Sequence, residues 1–130
     1  MNDGASSPQR GWTEKFRDAF RGVKAGIRGQ SSFVVHCLAA MAVVAAAAAL
    51  KIDTPAEWCL LLLCIATVLT AEMFNSALES LAKAITDQWN PHLETALNVS
   101  SAAVLIAAMG ASVVGTLIFV NRLGMLLSCW

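Results

Sequence analysis

Charge is scarce in this sequence. Only 14% of its 130 residues are Asp, Glu, Lys or Arg, against about 25% in an average soluble domain, and that shortage argues against a globule surrounded by water. Acidic and basic residues balance at 9 each, so no global basic field is available to attract nucleic acid. A Gly-rich phosphate loop of the Walker type is missing, and a chain of this length leaves no room for a separate soluble nucleotide-binding domain. The four cysteines (Cys37, Cys59, Cys64, Cys129) have no Cys-x-x-Cys spacing, and three of them fall inside apolar runs. They read as small apolar side chains rather than as a metal or redox centre.

Apolar residues, by contrast, make up 57% of the chain. They are gathered into three runs, at about 33–50, 56–79 and 98–120, each reaching the roughly 18 residues needed to cross ~30 Å of hydrocarbon. Residues 1–11 are polar, rich in Ser and Gly, and are expected to be disordered. Over about 12–30 the pattern changes. Trp12, Phe16, Phe20, Val23 and Ile27 recur at helical spacing, while Lys15, Arg17, Arg21, Lys24 and Arg28 fill most of the remainder, with Thr13 able to cap the start. Aromatics on one face and basic residues on the other describe a helix lying in a membrane interface; an ordinary soluble amphipathic helix is the simpler alternative, disfavoured by the span that follows. A cleavable signal peptide is disfavoured too, because the first apolar run is longer than the usual 7–15 residues. The predicted fold is all-α: a single integral membrane domain over 12–130, with three transmembrane helices behind an amphipathic surface helix.

Six of the nine Lys and Arg residues precede the first span, which predicts a cytoplasmic N-terminus and an external C-terminus. The connection around Lys51 is short, so the first two spans should be antiparallel neighbours. The connection from Glu79 to Asn98 reads as a longer polar loop holding Asp87, His92 and Glu94.

The residues with most chemistry are Glu72, Asn75 and Glu79, whose spacing of three then four puts them on one helical face. A carboxylate inside a membrane helix costs roughly 2.5–3.5 kcal/mol on insertion scales. Three helices are few for enclosing such a face, so a homo-oligomer is expected. Two carboxylates with an amide between them can hold a divalent cation through oxygen ligands, or place a base beside a metal; a structural polar seam between helices is the plainer reading. His36, just inside the first span, reads as a helix–helix hydrogen-bonding partner rather than a catalyst. Ser100, Ser101, Ala102 and Ala103 read as small residues permitting close helix packing.

The octapeptide Glu72-Met73-Phe74-Asn75-Ser76-Ala77-Leu78-Glu79 resembles the Glu-x-x-Asn-(Ser/Thr)-Ala-Ile-Glu motif of the prokaryotic diacylglycerol kinase family, which includes undecaprenol kinases. The lead-in from Phe16 to Lys24, the pair Phe33 and His36, and Ser101 to Leu105 extend the resemblance from about Phe16 to Val120. It implies a homotrimer at a bacterial inner membrane that transfers the γ-phosphate of ATP, with Mg²⁺, to a lipid hydroxyl, either diacylglycerol or undecaprenol; His36 leans towards the latter. By the motif, Glu72 matches the catalytic base, Asn75 its polar neighbour and Glu79 a magnesium ligand.

Four positions depart from the family pattern. A second metal-binding glutamate is Gln30 here, and an Ala-Lys-Asp run is Ala96-Leu97-Asn98, so the phosphate-contacting lysine is replaced by Leu97 and its acidic neighbour by Asn98. An aspartate four residues past Glu79 is Lys83, which is placed to restore part of the missing positive charge or, more simply, to snorkel at the interface. Gln30, Asn98 and Lys83 therefore remain candidate nucleotide- or metal-contacting residues, and a catalytically impaired family member that binds lipid or a protein partner is the alternative to a working kinase.

Overall fold

The computed structural model describes residues 11–28 and 31–127; the expected disordered N-terminal stretch up to residue 10, as well as Gln30 and Cys129, lie outside them. Four α-helices follow one another: α1 (Trp12–Ile27), α2 (Ser31–Ala49), α3 (Pro55–Ile85) and α4 (Pro91–Leu126). The last three are long and apolar enough to cross a membrane. No strand occurs among the described residues.

At 1.5 Å per residue, the 31 residues of α3 and the 36 of α4 reach about 46 and 54 Å, beyond the ~30 Å of hydrocarbon. The two helices therefore run on past the apolar layer at the end where α1 lies. This corrects the long polar loop expected between Glu79 and Asn98. The connection between the helices is confined to residues 86–90, and His92 and Glu94 belong to the first turn of α4. Local chemistry explains the early helix start. Asn90 is the N-cap, its Oδ1 accepting from the amides of His92 at 2.9 Å and Leu93 at 3.3 Å. Pro91 occupies the first turn, where its missing N–H costs nothing, and Glu94 there accepts from the Trp89 indole at 2.8 Å. Polarity marked the exit from the membrane and not the end of the helix.

α1 also begins differently from expectation. Gly11 is its N-cap and no side chain caps it, so Thr13 is already inside the helix. Its aromatic face stays open: Trp12, Phe16 and Phe20 are exposed, as an interfacial helix requires. Near its far end it comes hard against α3. A Cβ added at Gly26 would lie 2.7 Å from Met73 Sδ, so a larger residue there would have to push the end of that methionine aside.

The opposite end of the bundle is tied by a helix stop and an arginine. Lys51 adopts φ 53°, while Ile52 N–H donates to Ala47 O and Lys51 N–H to Ala48 O, both at 3.0 Å, which is the Schellman pattern. Lysine in this left-handed conformation is unfavourable. Contacts around it compensate: Ile52 packs with Ala47, Leu61 and Ile118 in a buried cluster, and the Trp58 indole donates to Ile52 O at 3.0 Å. From α4, Arg122 donates to the carbonyls of Leu50 and Lys51 and pairs with Asp53 at 3.2 Å. One arginine thus satisfies two carbonyls just past the end of α2 and fastens α4 to the α2–α3 turn.

Candidate functional site

Glu72 is the most deeply buried large side chain of the described residues, with 2% of its surface exposed. It faces α2. His36 Nε2 lies 3.1 Å from its Oε1, and Ser32 Oγ donates to Oε2 over a longer 3.4 Å. His36 is thus the helix–helix partner the sequence suggested, and its partner is the carboxylate itself. Asn75, also buried, faces α4. Its Oδ1 accepts from Ser100 Oγ at 2.6 Å and, more weakly, from Ser101 Oγ at 3.4 Å, while its Nδ2 donates to Glu79 Oε1 at 3.0 Å. The close Ser100 contact requires the hydroxyl to donate, which leaves the amide N–H to face Glu79; a flipped amide would set oxygen against a carboxylate.

The three motif residues thus share a helix face but not a neighbour. Glu72 is closed over by α2 and Asn75 by α4, while Glu79 is only half-buried one turn further on. The expectation that three helices are too few to enclose this face is not met for Glu72 and Asn75. Serines at positions 32 and 100 leave room for the helices to approach and supply donors at the same points. Ser100 and Ser101 read in the sequence only as small packing residues and Ser32 carries no reading there, yet a sequence signal for all three exists: each stands about as far from its interhelical turn as the residue it faces. The misplaced polar loop hid that match for α4.

The departures fall elsewhere. Leu97 is half-buried on α4, its backbone carbonyl 2.8 Å from Ser100 Oγ and competing with Asn75 Oδ1 for the single hydroxyl proton. Asn98 and Lys83 are exposed, and among the described residues neither is hydrogen-bonded or ion-paired to the motif. Gln30 lies outside the described residues. A groove of about 450 Å³ leads from His36 down between α2, α3 and α4, past Ala39, Ala40 and Val68 to Phe119. A second, of about 920 Å³, lies between α3 and α4, lined by Leu63, Phe74 and Val99 with Asn75 and Ser100.

Three apolar helices behind an amphipathic one, with a carboxylate and an amide held inside the bundle near its α1 end, define a polytopic membrane protein with a buried polar centre. The sequence profile of prokaryotic diacylglycerol kinase matches residues 17–119, and the chain belongs to that family, a class of membrane-embedded lipid kinases. It is 29% identical over 110 residues to an undecaprenol kinase of Bacillus subtilis (strain 168), a match covering 85% of this chain and 89% of that one. No solved structure matches it.

Proposed function

We propose that this protein transfers the γ-phosphate of ATP to a lipid hydroxyl, with undecaprenol the favoured acceptor and diacylglycerol the other candidate. One observation carries the reading: a glutamate closed to water inside a membrane helix and held by a histidine and a serine, one turn from an amide that donates to a second carboxylate. Insertion cost alone makes such a residue unfavourable unless it performs a task. The name of the Bacillus relative supports the polyprenyl acceptor.

In this mechanism the acceptor hydroxyl meets Glu72 at Oε2, the oxygen engaged only by the long Ser32 contact. Its oxygen forms a bond to the γ-phosphorus, and the bond between that phosphorus and the bridging oxygen breaks. The electron pair leaves with ADP and the hydroxyl proton passes to Glu72. His36 keeps the carboxylate aimed. The donor set also suits magnesium, a hard cation that usually takes one or two carboxylates together with substrate phosphates. Glu79 would be the protein's share among the described residues, steadied by Asn75 and Ser100. Bound there with the nucleotide, Mg²⁺ supplies neutralisation of phosphate charge.

The basic residues before α2 support a cytoplasmic N-terminus at a bacterial inner membrane, which places Glu72 and Glu79 on the ATP side; a C-terminal reporter active in the cytoplasm would contradict it. The family resemblance supports a homotrimer, and the apolar groove beside Leu63 and Phe74 offers a seat for a neighbouring helix. A native mass corresponding to a monomer would remove that part of the proposal. The function itself is tested by incubating purified protein in detergent micelles with labelled ATP, Mg²⁺ and either undecaprenol or diacylglycerol. Label in either lipid supports the proposal. No label in either lipid, from a folded protein, leaves the lipid- or protein-binding alternative.

The departures make a quantitative prediction. Leu97 offers no donor to a phosphate and Gln30 only a neutral oxygen to a cation. Restoring Gln30→Glu, Leu97→Lys and Asn98→Asp together should raise lipid phosphorylation at least tenfold, about 1.4 kcal/mol in the barrier. Single restorations should do less, because charges around one phosphate act as a unit. Unchanged turnover in the triple variant would mean that other residues hold the phosphates.

A further inference from the structure

The lipid-kinase reading leaves one buried group without a task. Ser76 is 7% exposed, and its Oγ is the single buried side-chain oxygen or nitrogen without a hydrogen-bond partner among the described residues. Serines and threonines in helices ordinarily satisfy themselves by donating to a carbonyl one turn back, and others in this chain do so. Thr67 donates to Leu63 O, Thr95 to Pro91 O and Ser112 to Ala108 O, each at 2.8 Å. Ser76 has the carbonyl of Glu72 one turn back and makes no such bond. A buried hydroxyl with an unspent proton is costly to keep, which directs attention to a partner that arrives with substrate.

Its position says which part of the substrate that is. Helix geometry sets Ser76 on the same face as Glu72 and Glu79, about 6 Å along the axis past the first and about 4.5 Å before the second. Glu72 looks towards α2, and Met73 looks towards α1 at Gly26; Ser76 projects between those two directions. Under the proposed function, the acceptor hydroxyl sits at Glu72 and the nucleotide's metal at Glu79. The group in transit must lie between them. Glu72 is as closed off as Ser76, so whatever opening admits the acceptor to the base admits the phosphoryl group to this hydroxyl.

We infer that the Ser76 hydroxyl donates a hydrogen bond to a non-bridging oxygen of the phosphoryl group being transferred, supplying one of the donors that Leu97 cannot. The inference rests on the lipid-kinase reading. Ser76 keeps its proton throughout: the acceptor oxygen–phosphorus bond forms, the bond to the ADP bridging oxygen breaks with its electron pair, and the acceptor proton goes to Glu72. A donor aimed at charge that develops during transfer acts on turnover more than on binding.

The test is Ser76→Ala and Ser76→Thr in the full-length protein, assayed with ATP, Mg²⁺ and whichever of the two lipids the wild type phosphorylates. The expected result for Ser76→Ala is a kcat at least tenfold lower, KM for ATP and lipid within about twofold, and a Tm equal to or above wild type, since an unpartnered hydroxyl has been removed. Ser76→Thr, which keeps the hydroxyl, should recover most of the lost rate. A merely structural serine would instead lower Tm along with activity. An Ala variant retaining more than half of wild-type kcat, one that loses Tm with activity, or a Thr variant no faster than Ala overturns the inference and leaves the kinase reading standing. A wild type that phosphorylates neither lipid overturns both.

Discussion

Glu72→Gln should abolish lipid phosphorylation, lowering kcat about 10³-fold, within the 10²–10⁴ range of general-base contributions. The substitution is nearly isosteric. The new amide oxygen still accepts from His36, so the α2–α3 contact at 3.1 Å survives and the variant should stay folded. The nucleotide should bind to the variant within about threefold of wild type, because Glu79 and Asn75 are untouched. Turnover assays and nucleotide titration in the same detergent separate the two effects. A variant keeping more than a tenth of wild-type turnover would falsify the role of Glu72 as base.

Glu79→Gln should act differently. Its amide oxygen can still accept from Asn75 Nδ2, so the geometry around Ser100 persists, but a neutral ligand holds a hard cation less strongly than a carboxylate. We expect kcat/KM for magnesium-bound nucleotide to fall about 10²-fold, roughly 2.7 kcal/mol, and part of the loss to be recovered at high Mg²⁺. Glu72→Gln should show no such recovery. Activity measured across a magnesium titration checks the distinction; a Glu79→Gln profile superimposed on that of the wild type would remove Glu79 from the metal site.

The pairing of these two carboxylates shows how far the site was legible beforehand. Spacing alone placed Glu72, Asn75 and Glu79 on one face, because an α-helix repeats every 3.6 residues whatever surrounds it. Spacing did not say that the face is shared out between two neighbours. Glu72 turns to Ser32 and His36, and Asn75 to Ser100 and Ser101, residues 25 to 40 positions away in the chain. Ser100 was legible only as a small residue, since a hydroxyl gains its meaning from the acceptor it reaches. Ser76 was legible only as a letter in a motif; its lack of any partner is a property of the packed helices.

Arg122 marks a similar divide at the other end of the bundle. In the sequence it is a lone cation after an apolar run, with nothing to name its partners. In the structure it bonds the Leu50 and Lys51 carbonyls of the α2–α3 turn and pairs with Asp53, because α4 runs on past the expected end of the third span.

By itself the sequence determined that the chain is helical, crosses the membrane three times by length and composition, carries an interfacial helix and concentrates its chemistry on one turn of α3. Those properties follow from local periodicity and from the cost of exposing polar groups to hydrocarbon, and both are readable residue by residue. Tertiary structure decided where the helices stop, which side of Glu72 and Asn75 each neighbour occupies, and which hydroxyl is left without a partner. These depend on how closely helices distant in sequence approach, and that is set by small side chains and turn geometry acting together across the bundle.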